Sequence, residues 1–323
     1  MILKLDDKTY SVIDSKEKIT IADSFVVRQN KIGGGNGEKK LYIGNENNQL
    51  RSFFGEKGFS NKCFLLKKDL NKYLIDTRDE YLNPQQPYKN IDLLPELWIA
   101  RSKDIDLLPE KIEFVINEQS QIAGPRVYAN SIDSNYNLLR ILSIPNITFI
   151  SVVKVQNNDG EIEYYFKLFA DYFGDSNHPI KVEKDISIIE NIEDDTKKLE
   201  LRKARVGQGK YRRQLLELCP FCPITTISDD RLLTASHIKP WSKSNNEEKI
   251  DPYNGFMFTP TIDRLFDRGY ISFTNDKKII LSPFISKMTY AKLNLKNGKT
   301  FHLLPTDGRE LYLEHHRNAE FEG

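Results

Sequence analysis

Apolar and polar positions alternate at short period through much of the first half of the chain. Residues 9–13, 20–27 and 41–43 are short β-prone runs. The clearest pair is 148–155 and 162–169, separated by Asn157-Asn158-Asp159-Gly160. Asp-Gly between two alternating runs predicts a hairpin, because tight turns need residues that tolerate positive φ. Residues 76–92, with Pro84 and Pro87, predict a loop. In the second half, residues 231–236 form a β-prone run that ends at His237, and Pro240 then stops regular structure. Phe256-Met257-Phe258 reads as a second short strand. Thr259 or Thr261 is placed to cap a helix starting near Pro260, since proline is favoured in a first helical turn.

These patterns predict an α+β protein with a β-rich N-terminal recognition domain over residues 1–180. A connector at 181–204 and a second domain at 205–323 follow. The stretch 183–200 is acidic, with Ile186, Ile188, Ile189 and Ile192 between the charges. The charge then reverses. Residues 201–243 carry nine Lys or Arg against three Asp or Glu, a local balance of +6. Such a patch suits a phosphate backbone, although charge runs are often only solvated helix faces.

Composition narrows the class. At 323 residues the chain is long enough for two cores, and its net charge of +1 gives no overall cationic pull on nucleic acid. No apolar run is long enough to span a bilayer, so no membrane partner is expected. The N-terminus lacks the pattern of a signal peptide, and three cysteines do not make a disulfide framework, which together predict a cytoplasmic location. Gly33-Gly34-Gly35-Asn36-Gly37 lacks the Lys-Ser/Thr ending of a phosphate cradle and reads as a turn. Cys219-Pro220-Phe221-Cys222 has no second Cys-x-x-Cys to complete four zinc ligands, so two buried thiols are expected and structural zinc is not.

The candidate chemistry lies between residues 232 and 273. Asp263 and Asp267 are four apart on the expected helix and therefore share one face. Two carboxylates on one face are hard oxygen ligands suited to Mg²⁺ or Mn²⁺. His237 ends a strand and has a side chain whose ordinary pKa lies near neutrality, which suits a general base. Hydrolysing a phosphodiester requires deprotonating water, neutralising phosphoryl charge and stabilising the leaving oxygen. One histidine and one divalent metal cover all three. Each signal has a plain structural reading by itself: a packed histidine, an Asn-Gly turn, a solvated acidic helix face.

Together the motifs resemble the HNH nucleases, whose active site is a ββα-metal finger. Residues 205–216 look like the RxGQGxFRxxLL run that precedes the finger in a large group of bacterial HNH endonucleases. Cys222-Pro223-Ile224-Thr225 falls at that group's Cys-x-x-Thr-Gly turn, with Thr226 in place of the glycine. Residues 235–241, Ala-Ser-His-Ile-Lys-Pro-Trp, resemble its histidine motif, and residues 311–317 followed by Phe321 resemble its closing helix. The likeness spans about residues 200–323.

The resemblance implies a metal-dependent endonuclease that cuts double-stranded DNA, leaving 5′-phosphate and 3′-hydroxyl ends. His237 would be the general base, Asn254 the middle Asn that steadies the loop or orients the base, and Asp263 and Asp267 the metal ligands. Ser236 departs from the pattern, since many members carry Asp or His there as a first ligand. Lys210, Arg212, Lys239, Arg264 and Arg268 are candidate nucleic-acid contacts. A restriction or phage-defence role and a homodimer on a two-fold site are expected. A catalytically inactive DNA-binding or regulatory protein, and a nicking or homing-type nuclease, are the alternatives.

Overall fold

In the computed structural model, residues 2–5, 8–33, 38–84, 86–119, 124–170 and 211–323 are described. The chain divides into two compact units: residues 1–173 with 283–287, and 174–282 with 288–323. The acidic connector, Lys210 and Gly34 to Gly37 lie outside the described residues.

The first unit is built on one eight-stranded sheet. Its strands are β1 (Ile2–Leu5), β2 (Lys8–Thr20), β3 (Leu41–Asn45), β4 (Ser60–Leu66), β5 (Lys111–Gln119), β6 (Arg126–Asn130), β7 (Thr148–Gln156) and β8 (Ile162–Ala170). They lie in the order β1-β2-β7-β8-β4-β5-β6-β3. Every pairing is antiparallel except β4 with β8. In β5, Ile112, Phe114 and Ile116 are buried while Glu113, Val115 and Asn117 face solvent, the alternation expected when one face of a sheet covers a core. The helices Lys67–Asp76 and Leu94–Asp106 supply Leu70, Tyr73, Leu74, Leu94 and Ile105 to that core.

The hairpin predicted around Gly160 is β7–β8, with Gln156 opposite Ile162. Its turn is held by the Asn157 side chain, which accepts the N–H groups of Asp159 and Glu161, and Gly160 takes φ +84°. Two expectations fail. The run 20–27 is not a strand, because β2 ends at Thr20 and the apolar Ile21, Phe25 and Val26 are buried from irregular backbone. The segment 76–92 is not all loop: Arg78–Leu82 is helical and Ile91–Leu93 is a 3₁₀ turn. Tertiary burial overrides the loop-like composition there. Tyr81 is buried and donates to Leu142 O at 3.0 Å, and buried Glu80 accepts from Tyr88 Oη at 2.7 Å.

The second unit begins, among described residues, with a helical stretch at 211–218. Strand β9 (Thr234–His237) pairs antiparallel with β10 (Gly255–Phe258), with His237 opposite Gly255. The helix Pro260–Asp267 follows, then the pair β11 (Ile271–Phe273) and β12 (Ile279–Leu281). The strand expected from 231 starts at 234. Residues Asp230–Leu232 form a 3₁₀ turn instead, capped by the Asp229 side chain accepting from Arg231 N at 3.1 Å.

Phe256, Phe258, Phe266 and Phe273 form a mutually packed aromatic core under this ribbon and helix. Each is fully buried, worth about 1.5–3 kcal/mol of apolar burial per side chain. The helix Glu310–His315 packs near the C-terminus, and His316 just beyond it stacks on Phe266 at 3.9 Å. No helix among the described residues is long and apolar enough to cross a membrane.

Candidate active site

The ribbon places Ser236 and His237 as consecutive residues at the end of β9. Ser236 is buried, and its hydroxyl donates to Asp267 Oδ1 at 3.3 Å. That contact brings the strand against the helix carrying Asp263 and Asp267. Pro260 occupies the first turn of this helix. Thr259 stands at the N-cap position, yet its side chain makes no capping bond; its Oγ1 lies 3.9 Å from Cys222 Sγ. Thr261 does not precede the helix but lies inside it.

Asp263 and Asp267 form a crowded pair of carboxyls, both held above the ordinary carboxylate range. Burial is the main cause that raises the Asp263 carboxyl, opposed by the Ser236 hydroxyl and the Arg264 charge. Asp267 keeps open surface, but protein crowds around it; that crowding and then the Asp263 charge raise its carboxyl. Asp263 Oδ1 is buried and makes no hydrogen bond. Buried carboxylate oxygens are normally paired, so an orphan oxygen beside a second acid asks for a cation.

The donors on offer are two carboxylates and one serine hydroxyl, all oxygen. Among the described residues no group of three or more His, Cys, Asp or Glu is placed to hold a metal ion. This set fits a cation such as Mg²⁺, which keeps several waters and takes one or two carboxylates plus substrate phosphate. If it does bind there, a divalent cation will raise the thermal midpoint of the wild-type protein. The double substitution Asp263→Asn with Asp267→Asn will raise the midpoint in chelator and abolish the cation-dependent shift. Scanning fluorimetry with and without Mg²⁺ reads both effects.

The His237 ring stacks on Tyr211 with centroids 4.1 Å apart and planes within 11°. His237 Nε2 lies 3.1 Å from Lys249 O. A carbonyl only accepts, so Nε2 carries the proton and the neutral ring keeps its lone pair on Nδ1. Burial lowers the His237 pKa below its ordinary value, which favours the neutral ring at pH 7; the bond to the Lys249 carbonyl opposes that shift.

Asn254 is fully buried and works on the loop between the strands. Its Oδ1 accepts from Lys239 N at 2.8 Å, and its Nδ2 donates to Glu248 O at 3.0 Å and Ser244 Oγ at 3.3 Å. Its own carbonyl accepts from Ile238 N at 3.2 Å and from Tyr211 Oη at 2.9 Å. Gly255 follows because nothing larger fits. A Cβ there would lie 1.9 Å from Tyr211 Oη and 2.8 Å from Ser236 O.

Residues 222–274, which carry β9, β10, the acidic helix and β11, match the family model for HNH endonuclease. This segment is an HNH endonuclease domain. No curated protein matches the chain.

The basic residues around the HNH domain are differently employed. Arg212 donates to Leu233 O at 2.9 Å and Asp230 O at 2.6 Å, so its guanidinium holds the turn that feeds β9. Lys239 Nζ is bound by both carboxylate oxygens of Glu248, at 2.8 and 2.7 Å. Arg264 is exposed beside Asp263, and Arg268 is half-buried beyond Asp267.

Three supporting residues escaped the sequence reading. Tyr211 stood inside the 205–216 motif without an assigned role. Arg309 is buried and donates to Gly255 O at 3.0 Å, with its guanidinium over Tyr253 and Phe256. Tyr312 Oη donates to Asp251 Oδ2 at 2.7 Å. Both grip the 251–255 turn from more than fifty residues downstream, where no local spacing announces them.

Proposed function

We propose that the protein is a metal-dependent endonuclease acting on double-stranded DNA, with His237 as general base and Asp263 and Asp267 as metal ligands. The observation that carries this reading is the pairing, on consecutive residues 236 and 237, of an acidic oxygen cluster with a neutral imidazole. The cluster has an unpartnered buried carboxylate oxygen, and the imidazole has one nitrogen tied to a carbonyl.

A divalent ion held there would supply Lewis-acid stabilisation of phosphoryl and leaving-oxygen charge. The chain's own part is to take and hold a proton. Nδ1 of His237 accepts the proton of an attacking water, while the Nε2 bond to Lys249 O keeps the ring from turning. Asn254 fixes the loop bearing that carbonyl. Arg264, within the acidic helix, and Arg268, just after it, would be the guanidiniums offered to phosphate. One such finger holds one base, so a double-strand cut requires two copies, and a homodimer on a two-fold site follows. A β-rich unit joined to this domain suits a restriction or phage-defence enzyme, the first unit choosing the target. We assign residues 1–180 to recognition and 205–323 to the nuclease.

The test is incubation of purified full-length protein with supercoiled plasmids of varied sequence and methylation, in Mg²⁺ or Mn²⁺. Cleavage that stops in chelator, with ligatable 5′-phosphate ends, is expected. Intact plasmid under all metals and substrates, with DNA still bound, would favour the inactive regulatory alternative. Single-strand breaks alone would favour a nickase.

A further inference from the structure

Lys239 sits two residues after the base and was expected to grip phosphate, yet its charge is already engaged. Its ammonium meets both Glu248 carboxylate oxygens at 2.7 and 2.8 Å, and each side chain is only about a fifth exposed (21% and 22%). We propose that Lys239 and Glu248 form a positioning pair that holds the Lys249 carbonyl on Nε2 of His237 and so fixes which imidazole nitrogen is the base. The inference rests on the nuclease reading for its kinetic consequence, but not for its structural one.

The contacts form a closed circuit. From His237 the chain runs to Lys239, whose side chain reaches Glu248. The next residue, Lys249, returns its carbonyl to His237 at 3.1 Å. The Glu248 turn is otherwise built locally. Asn245 Oδ1 accepts from Glu247 N and Glu248 N, both at 2.9 Å, and Asn245 N donates back to Glu248 Oε2 at 2.8 Å. This reciprocal arrangement is that of a capping box.

Local bonds alone set the shape of the turn but not its distance from the ribbon. The contacts that set that distance include Asn254 Nδ2 on Glu248 O at 3.0 Å and on Ser244 Oγ at 3.3 Å, the Lys249 ammonium over the Trp241 ring, and the Lys239 ion pair. The amide contacts carry no charge. The ion pair adds a charge-assisted grip on the same turn, one residue before the carbonyl that matters. The pair lies on the turn and outside the aromatic core, so its removal is expected to leave a folded protein with a loosened carbonyl. A free His237 ring exchanges its Nε2–H and Nδ1–H tautomers, and only the first leaves Nδ1 as acceptor.

The experiment uses full-length wild type, Glu248→Gln, Lys239→Met, and the pair-preserving double variant Lys239→Arg with Glu248→Asp. Two readouts are taken. In ¹⁵N-histidine-labelled protein, with the His237 signals identified by their loss in His237→Ala, wild type should show a protonated Nε2 and an unprotonated Nδ1. Both single variants should move toward a mixture of tautomers, and the double variant should return toward wild type. In Mg²⁺-dependent plasmid cleavage, the single variants should lose about tenfold or more in kcat with KM for DNA unchanged.

Unchanged His237 nitrogen signals in both single variants would overturn the proposal. So would a raised KM and a weaker salt dependence for Lys239→Met at unchanged kcat, since that pattern belongs to a phosphate contact. If wild type cuts no DNA while the tautomer shift appears, the nuclease reading fails and the positioning pair stands.

Discussion

His237→Ala will still fold and bind duplex DNA, but its plasmid cleavage rate will fall about 10²–10⁴-fold, the range for losing a positioned general base. The ring touches Tyr211 by stacking and Lys249 O by one hydrogen bond, and neither contact lies in the aromatic core of Phe256, Phe258, Phe266 and Phe273. Folding should therefore survive its loss. Electrophoretic mobility shift in Ca²⁺ separates binding from cleavage. Cleavage within threefold of wild type would remove His237 from the mechanism and send the search for the base to another group near the acidic helix.

The second large effect is on stability. Gly255→Ala places a methyl 1.9 Å from Tyr211 Oη, 2.8 Å from Ser236 O and 3.0 Å from Leu215 Cδ2. Ser236 O is backbone of the paired strand, and Tyr211 is fixed by its bond to Asn254 O. Neither can retreat without opening the ribbon at His237. A cost of about 3 kcal/mol is expected, at the upper end for overpacking. Urea unfolding followed by tryptophan fluorescence measures it. A midpoint indistinguishable from wild type would mean that Tyr211 swings away freely and does not buttress the site.

Much of the candidate site was legible because its chemistry is local. Ser236, His237, Asn254, Asp263 and Asp267 span thirty-two residues, and the strand, turn, strand and helix that carry them each have a short-range signature. Proline at the helix start, Asn-Gly at the turn and the apolar triplet 256–258 are enough to order them. Partner choice was not legible. Lys239 and Arg212 are basic residues beside a phosphodiesterase motif, and sequence offers both as candidate DNA contacts, with salt bridging as the alternative for Lys239. In the structure one is bound to Glu248 and the other to two carbonyls. A lysine's reach spans several candidate partners, and only tertiary placement selects one.

The same holds for the first unit. Its hairpin around Gly160 was plain, since turn chemistry is local. The helix Arg78–Leu82 was hidden, because it depends on burying Tyr81 and pairing Glu80 with groups the local composition does not name. The β4–β8 parallel contact joins residues about a hundred positions apart, with Cys63 opposite Tyr164, and no periodicity encodes it.

Arg309 gives the domain a size that its family pattern does not. The matched segment stops at 274, yet Gly255 O is held by a guanidinium from residue 309, Asp251 by the hydroxyl of Tyr312, and the His237 ring by Tyr211. A fragment cut to the matched boundaries would keep every residue of the motif and lose three of the clamps that shape it. For anyone excising this HNH domain, the portable object runs from before Tyr211 to beyond Tyr312.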